Sequence, residues 1–234
     1  MDLKEETILG ADIGRHWYYR AKAAALHRAV AHLRPQHILD IGAGSGFFSR
    51  YLLAETEAQS ALCVDTGYAS DRNDRAAGKP VRYRREIDSS DCDLVLMMDV
   101  LEHVDDDRGL VRHYAAKVPS GAHFLVTVPA FPFLWSGHDV FLEHKRRYRL
   151  PEIEMVVRDS GPQVVRGSYY FGLIFPLAAA VRLAARNSAA PRSSLRRHGA
   201  VTNALLSTIC TLELPFFSIN RLAGLSAFVL ARKP

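Results

Sequence analysis

Two groups of residues in this chain have the types and spacing to do chemistry. The first is Asp40 with Gly42, Gly44 and Gly46, followed by Asp65. Glycines at alternate positions let a backbone approach a ligand closely, and a helix opening after them offers unpaired N–H groups. An acid at the end of the next strand, about twenty residues on, is placed to take ribose hydroxyls. The second group lies in "AFPFLWSGHDVFLEHKRRYRL", residues 130–150, which carries His138, Asp139, His144, Arg147 and Tyr148. Imidazole titrates near neutral pH and suits removal of a proton from an acceptor hydroxyl. Aromatic side chains bury an apolar molecule, and guanidinium groups hold an anionic one. His138 and His144 are therefore the candidate bases, with Asp139 as an orienting partner or an alternative base. Two histidines six apart with an acid between could suggest a metal, but nothing else in the sequence supports one, and none is expected.

Asp40 decides between two ligands for the glycine turn. A dinucleotide would set a pyrophosphate against it, and a carboxylate two residues ahead would repel that group. S-adenosylmethionine has no phosphate; its sulfonium and ammonium are attracted by a nearby carboxylate. The spacing is GxGxG rather than GxGxxG. A nicotinamide-dependent dehydrogenase is thereby disfavoured. A protein that keeps the fold only as a membrane-associated scaffold is disfavoured by the intact glycines and Asp65.

Positioning these residues requires strands that end beside one another. "HILDIG", "ALCVD", "VRYRREI", "CDLVLMM", "GAHFLVTVP", "QVVRGSYYF" and "SAFVLARK" read as seven strands. Helices are expected at 16–34 and over "GFFSRYLLAE", "DDDRGLVRHYAAKV" and "LPEIEMVVRDSG". The alternation predicts an α/β, doubly wound, mostly parallel sheet with helices on both faces. The expected organisation is an N-terminal helical cap at 1–36, a core at 37–168 and 225–234, and a helical insertion at 169–224 before the last strand. The formal charge of +5 permits an anionic partner without requiring nucleic acid. Three scattered cysteines, Cys63, Cys92 and Cys210, read as reduced core thiols, and the polar N-terminus lacks a secretory pattern; both suit a cytoplasmic setting.

"ILDIGAGSGFFS", the "VD" that follows and "DLVLMMDVLEHV" resemble the class I S-adenosylmethionine-dependent methyltransferases, whose sheet is Rossmann-like. More narrowly, "HWYYRAK", "VPAFPFLWSGHDVFLEHKRRY" and "LAGLSAFVLARKP" are similar to a bacterial group encoded among envelope-glycan, lipid and secondary-metabolite genes. The resemblance spans nearly the whole chain. It implies that Asp40, Gly42, Gly44 and Gly46 hold the methionine and ribose side of the cofactor. Asp65, with Thr66, would take the ribose hydroxyls. Asp99, Val100 and Leu101 would line the cofactor, with His103 close by, and Arg20 would pair with the methionine carboxylate. Asp88 is matched to the adenine amine, or caps a turn. Glu102 belongs to the pocket or caps the next helix. Trp135, Arg147, Tyr148 and Tyr169 are expected to contact the acceptor.

The insertion is apolar on both sides of the basic stretch from Arg182 to Arg197. Proline and charge interrupt both runs, so neither is read as transmembrane. They are expected to form a lid over the cleft, or helices at a membrane surface with the arginines on anionic headgroups. Either arrangement makes the acceptor site greasy. The expected reaction is O-methylation of a small apolar, aromatic or lipid-linked acceptor, with N- or C-methylation next. Peripheral contact with the inner face of the membrane would follow.

Overall fold

Short apolar runs become fully covered strands because helices lie on both faces of the sheet. A computed structural model describes residues 10–184 and 199–234. The strands are β1 (His37–Ile41), β2 (Ser60–Val64), β3 (Arg72–Ala76), β4 (Lys79–Arg84), β5 (Leu94–Met98), β6 (His123–Pro129), β7 (Gln163–Tyr170) and β8 (Ser226–Arg232). The α-helices are α1 (Trp17–Val30), α2 (Phe47–Glu55), α3 (Asp107–Lys117), α4 (Gly137–Phe141), α5 (Leu150–Asp159), α6 (Phe175–Ala184) and α7 (Ala200–Glu213). A 3-10 stretch, Leu214–Ile219, prolongs α7.

The sheet order is β3-β4-β2-β1-β5-β6-β8-β7. β4, β2, β1, β5 and β6 pair in parallel, while β8 runs antiparallel to both β6 and β7. The fold is thus the expected mostly parallel α/β sheet, with one strand more than the sequence reading gave. The additional strand, β3, is a hairpin partner of β4 at the sheet edge. Its residues, "RNDRA", are almost all exposed, so no hydrophobic alternation marks them.

Period-two alternation in β1 and β5 divides the core. Ile38, Leu94, Leu96 and Met98 face Leu26, Phe48 and Leu52 of α1 and α2. Leu39, Ile41, Val95 and Met97 face Val111 of α3 and Ile153 and Val157 of α5. The chain winds outward from β1 in one direction and from β5 in the other. Their adjacent carboxyl ends form the switch point where such sheets open a crevice for ligands. Two non-glycine residues there adopt left-handed backbone: Asp99 after β5 (φ +55°) and Phe131 after β6 (φ +58°). Such conformations cost about 1–3 kcal/mol and persist where the surroundings enforce them.

α7 is pinned at both ends. Asn203 accepts from the Trp17 amide at 2.8 Å and donates to the Arg15 carbonyl at 3.0 Å. Buried Glu213 accepts from the amides of Gly172 and Leu173, and the Cys210 carbonyl accepts from the Tyr170 hydroxyl. By length and composition alone, Ala200–Ile219 is apolar enough to cross a bilayer. The polar anchors on α1 and β7 instead hold it along the domain. The basic stretch Arg186–Arg197 lies outside the described residues.

Candidate active site

The glycine turn joins β1 to α2 with little slack. Gly42 has φ +62°, and a Cβ there would stand 2.8 Å from the Val100 side chain, so the turn packs directly on the segment after β5. Gly46 opens α2 at φ +74°, and its Cβ would meet the Tyr83 hydroxyl at 2.9 Å. Gly44 is also left-handed at φ +54°. The Tyr68 and Tyr83 hydroxyls brace the turn by donating to the carbonyls of Gly44 (2.7 Å) and Ser45 (3.0 Å).

Both acids predicted at this turn are in place. Asp65 accepts from the Gly44 amide at 3.0 Å through one oxygen and from the Gly67 amide at 2.8 Å through the other. Thr66 beside it is exposed. Asp40 is buried, and its carboxylate accepts a hydrogen bond from the Ser49 hydroxyl in α2. Burial pushes its carboxyl up to about 6, and the Ser49 bond opposes only part of that shift. Asp40 is therefore ionised at neutral pH at a cost in stability, which a cationic ligand would offset. A pyrophosphate could only raise that cost.

Arg20 is exposed on α1 and lines a separate groove with Phe47, Arg50 and Tyr51. Two residues along the helix, Lys22 is fully buried, and its ammonium pairs with Asp99 and donates to the Tyr18 hydroxyl at 3.2 Å. Burial alone would push the Lys22 ammonium down; the charge of Asp99 more than reverses this and holds it above its ordinary value. The same pairing overcomes burial at Asp99 and lowers its carboxyl, which also accepts from Thr127 at 3.1 Å. Asp88 sits exposed in the loop after β4.

A cavity of about 340 Å³ opens beside Asp99. Trp17, Tyr18 and Tyr19 of α1 form one wall, and Leu177, Ala178 and Val181 of α6 with Leu206 of α7 form the roof. Its polar end gathers Glu102, His103, His138, His144 and Arg147. The loop after β6 thus delivers its histidines to the crevice. Asp139, buried in the one-turn helix α4, accepts from His144 Nδ1 (2.9 Å), Arg147 Nε (2.7 Å) and the Ser136 amide (2.8 Å). Burial would raise its carboxyl, but the His144 bond and the Arg147 charge carry it far below the carboxylate range. Asp139 therefore orients His144 and cannot serve as the alternative base. His138 is held down to about 3, first by burial and then by the charge of Arg182. It stays neutral but takes up protons poorly.

The substrate residues divide. Arg147 reaches the cavity, with its guanidinium committed to Asp139 and to the Ala130 carbonyl at 2.9 Å. Tyr148 and Tyr169 are structural posts rather than acceptor contacts. The Tyr148 hydroxyl donates to Asp107 (2.8 Å), and the Tyr169 hydroxyl accepts from the Leu150 amide (2.7 Å) while its ring stacks on Phe131. Trp135 is 38% exposed and lies outside the cavity lining. Leu101 is buried and its carbonyl accepts from Tyr148.

Glu102 is the group whose importance sequence reasoning underrated. Asp106, not Glu102, caps α3, by accepting from the Gly109 amide at 2.7 Å. Glu102 is fully buried, and neither carboxylate oxygen has a hydrogen-bond partner on another of the described residues. Burial, then the charge of Asp99, raises its carboxyl well above the ordinary range.

A family model described as a methyltransferase domain matches residues 15–167, from α1 into β7. No curated protein matches the chain at a significant level. Among solved structures, it is similar to a chain of the Haloferax volcanii complex between the Trm112 methyltransferase activator and a candidate methyltransferase (15% identity, 99% of this chain and 96% of that one, TM-score 0.59). It is also similar to an S-adenosylmethionine-dependent methyltransferase from Archaeoglobus fulgidus (16%, 99% and 98%, 0.55). A third likeness is to Haemonchus contortus phosphoethanolamine N-methyltransferase 2 bound to S-adenosyl-L-methionine (18%, 98% and 56%, 0.57). These likenesses carry the fold. The family match covers most of the chain, which belongs to the methyltransferase domain family.

Proposed function

We propose that the chain is an S-adenosylmethionine-dependent methyltransferase whose acceptor is a largely apolar, aromatic or lipid-linked molecule, methylated first at oxygen. One observation carries the choice of acceptor. The cavity at the switch point is lined mostly by apolar and aromatic side chains, with Asp99, Glu102, His103, His138, His144, Arg147 and Arg182 as its charged or imidazole groups.

The turn fits the cofactor. Gly42 and Gly46 leave no room for a side chain, and the buried carboxylate of Asp40 favours a cation behind them. Asp40, Gly42, Gly44, Gly46 and Asp65 would hold S-adenosylmethionine, with Asp99, Val100 and Leu101 on the facing strand end. When bound, the cofactor supplies a methyl group on a sulfonium, open to displacement by a nucleophile. The protein's own contribution is alignment and exclusion of water. α1, α6 and α7 cover the cavity, and Asp139 fixes the ring of His144 so that one face of the polar end keeps a set orientation.

The roof also supports contact with a membrane. Leu183 of α6 is 47% exposed, and Leu205 and Leu212 of α7 are 59% and 64% exposed. An apolar outer face on the helices that roof an apolar cavity suits entry of a lipid-linked acceptor from a bilayer. The setting would be peripheral at a cytoplasmic membrane face. The test is label transfer from methyl-labelled S-adenosylmethionine into a total metabolite extract. Label in the organic phase is expected. Label confined to water-soluble acceptors would contradict the apolar-acceptor reading.

A further inference from the structure

The polar end of the cavity holds an arrangement that methyl transfer by itself does not require. Glu102, His103 and His144 each present one ligand atom, and the three atoms lie within 4.8 Å of one another. Glu102 and His103 follow β5, whereas His144 comes from the loop after β6, so two separate elements converge on one point. We propose that Glu102, His103 and His144 form a binding site for a divalent first-row transition cation.

Four observations point the same way. Two imidazoles and one carboxylate are the donor set of mononuclear zinc and iron(II) centres that keep positions open for a substrate. The Glu102 carboxylate is completely buried, faces the cavity and lacks a hydrogen-bond partner on another of the described residues. Lys22, whose charge acts on Glu102, is itself committed to Asp99. A carboxyl left in that state is held neutral unless it is paired or coordinates a metal. Finally, Asp139 binds His144 at Nδ1, which leaves Nε2 as the ligating nitrogen. A carboxylate behind a metal-binding histidine fixes the tautomer and orients the ring. Donors about 2.0–2.2 Å from such an ion stand roughly 3–3.5 Å apart, so from separations of at most 4.8 Å the three side chains need to close by less than about 2 Å.

The cation's position gives it a role that rests on reading this cavity as the acceptor pocket. An acceptor oxygen in an open coordination position would lose its proton to solvent more readily. Existence of the site does not depend on that reading. It also departs from the His138/His144 pair that the sequence spacing suggests, since His138 is not a member of the cluster.

The test uses the intact chain, stripped with a chelator and titrated with cobalt(II) alone. Cobalt(II) reports nitrogen and oxygen ligation by visible absorption. We expect one equivalent to bind saturably, with new absorption and a rise in melting temperature. Glu102→Gln keeps the shape of the side chain and adds no buried charge, so it should fold. Glu102→Gln and His144→Ala should each weaken cobalt binding by about tenfold or more and abolish the cobalt-dependent thermal shift. S-adenosylhomocysteine titrated into the same samples reads the cofactor site independently. Failure of the wild-type chain to take up cobalt would overturn the metal proposal, as would uptake by Glu102→Gln equal to wild type. Absence of S-adenosylhomocysteine binding alongside normal cobalt uptake would instead strike the methyltransferase reading.

Discussion

The two ends of the crevice are built differently. At the glycine turn most polar groups are spent inside the protein, the buried Ser45 hydroxyl excepted. Gly44 is held by Asp65 and Tyr68, Ser45 by Tyr83, and Asp40 by Ser49. At the acceptor end Glu102 is buried without a partner on another of the described residues, and the roof helix α6 buries none of its side chains. A satisfied network is rigid and specific, while groups left wanting partners mark where something else must come. The cofactor end is thus prebuilt, and the acceptor end is completed by what it binds.

The sharpest way to break this contrast is at His144. His144→Ala should lower turnover by about 10²–10⁴-fold with unchanged affinity for S-adenosylhomocysteine. Full turnover in that variant would place the chemistry elsewhere. At the prebuilt end, Gly42→Ala must force a side chain against Val100 at a left-handed backbone position. The expected cost is about 1–3 kcal/mol, read as a lower midpoint in urea, together with weaker cofactor binding. An unchanged midpoint would mean the turn is looser than its contacts indicate.

Asp40 sharpens the comparison through pH. Its carboxyl sits at about 6 in the folded chain against an ordinary 3.8, so folding favours the neutral form. The corresponding stability is fully present below about pH 4 and is lost as pH rises through about 6, and the difference amounts to roughly 2–3 kcal/mol. Asp40→Asn should flatten this dependence and raise stability at pH 7 while weakening cofactor binding. A variant no more stable than wild type at pH 7 would remove the buried charge from the account. The smallest effect on stability is expected at the roof. Leu205→Ser and Leu212→Ser lie at exposed positions and should shift it by less than about 0.5 kcal/mol, yet reduce flotation with liposomes. Equal flotation would favour a simple lid.

The prebuilt end was also the legible one. Strand, glycine turn and helix follow one another within about twenty residues, so their order alone carries the motif. Elements whose meaning depends on distant partners were not readable. Lys22 in an alanine-rich helix looks solvent-facing until Asp99, 77 residues away, is brought against it. β3 is charged and becomes a strand only by pairing with β4. Tyr148 and Tyr169 have the amphipathic character of ligand-binding residues, but their hydroxyls satisfy Asp107 and the Leu150 amide inside the core. Glu102, His103 and His144 span two loops, and no local spacing announces them.

The account depends most on the glycine turn accepting a cationic sulfur nucleoside. Calorimetric titration of the intact chain with S-adenosylhomocysteine and with NAD tests this directly. The prediction is one site for S-adenosylhomocysteine, none for NAD, and marked weakening in Asp65→Ala, where hydrogen bonds to a charged acceptor worth about 1.5–3 kcal/mol each are lost. Binding of NAD with no binding of S-adenosylhomocysteine would contradict it.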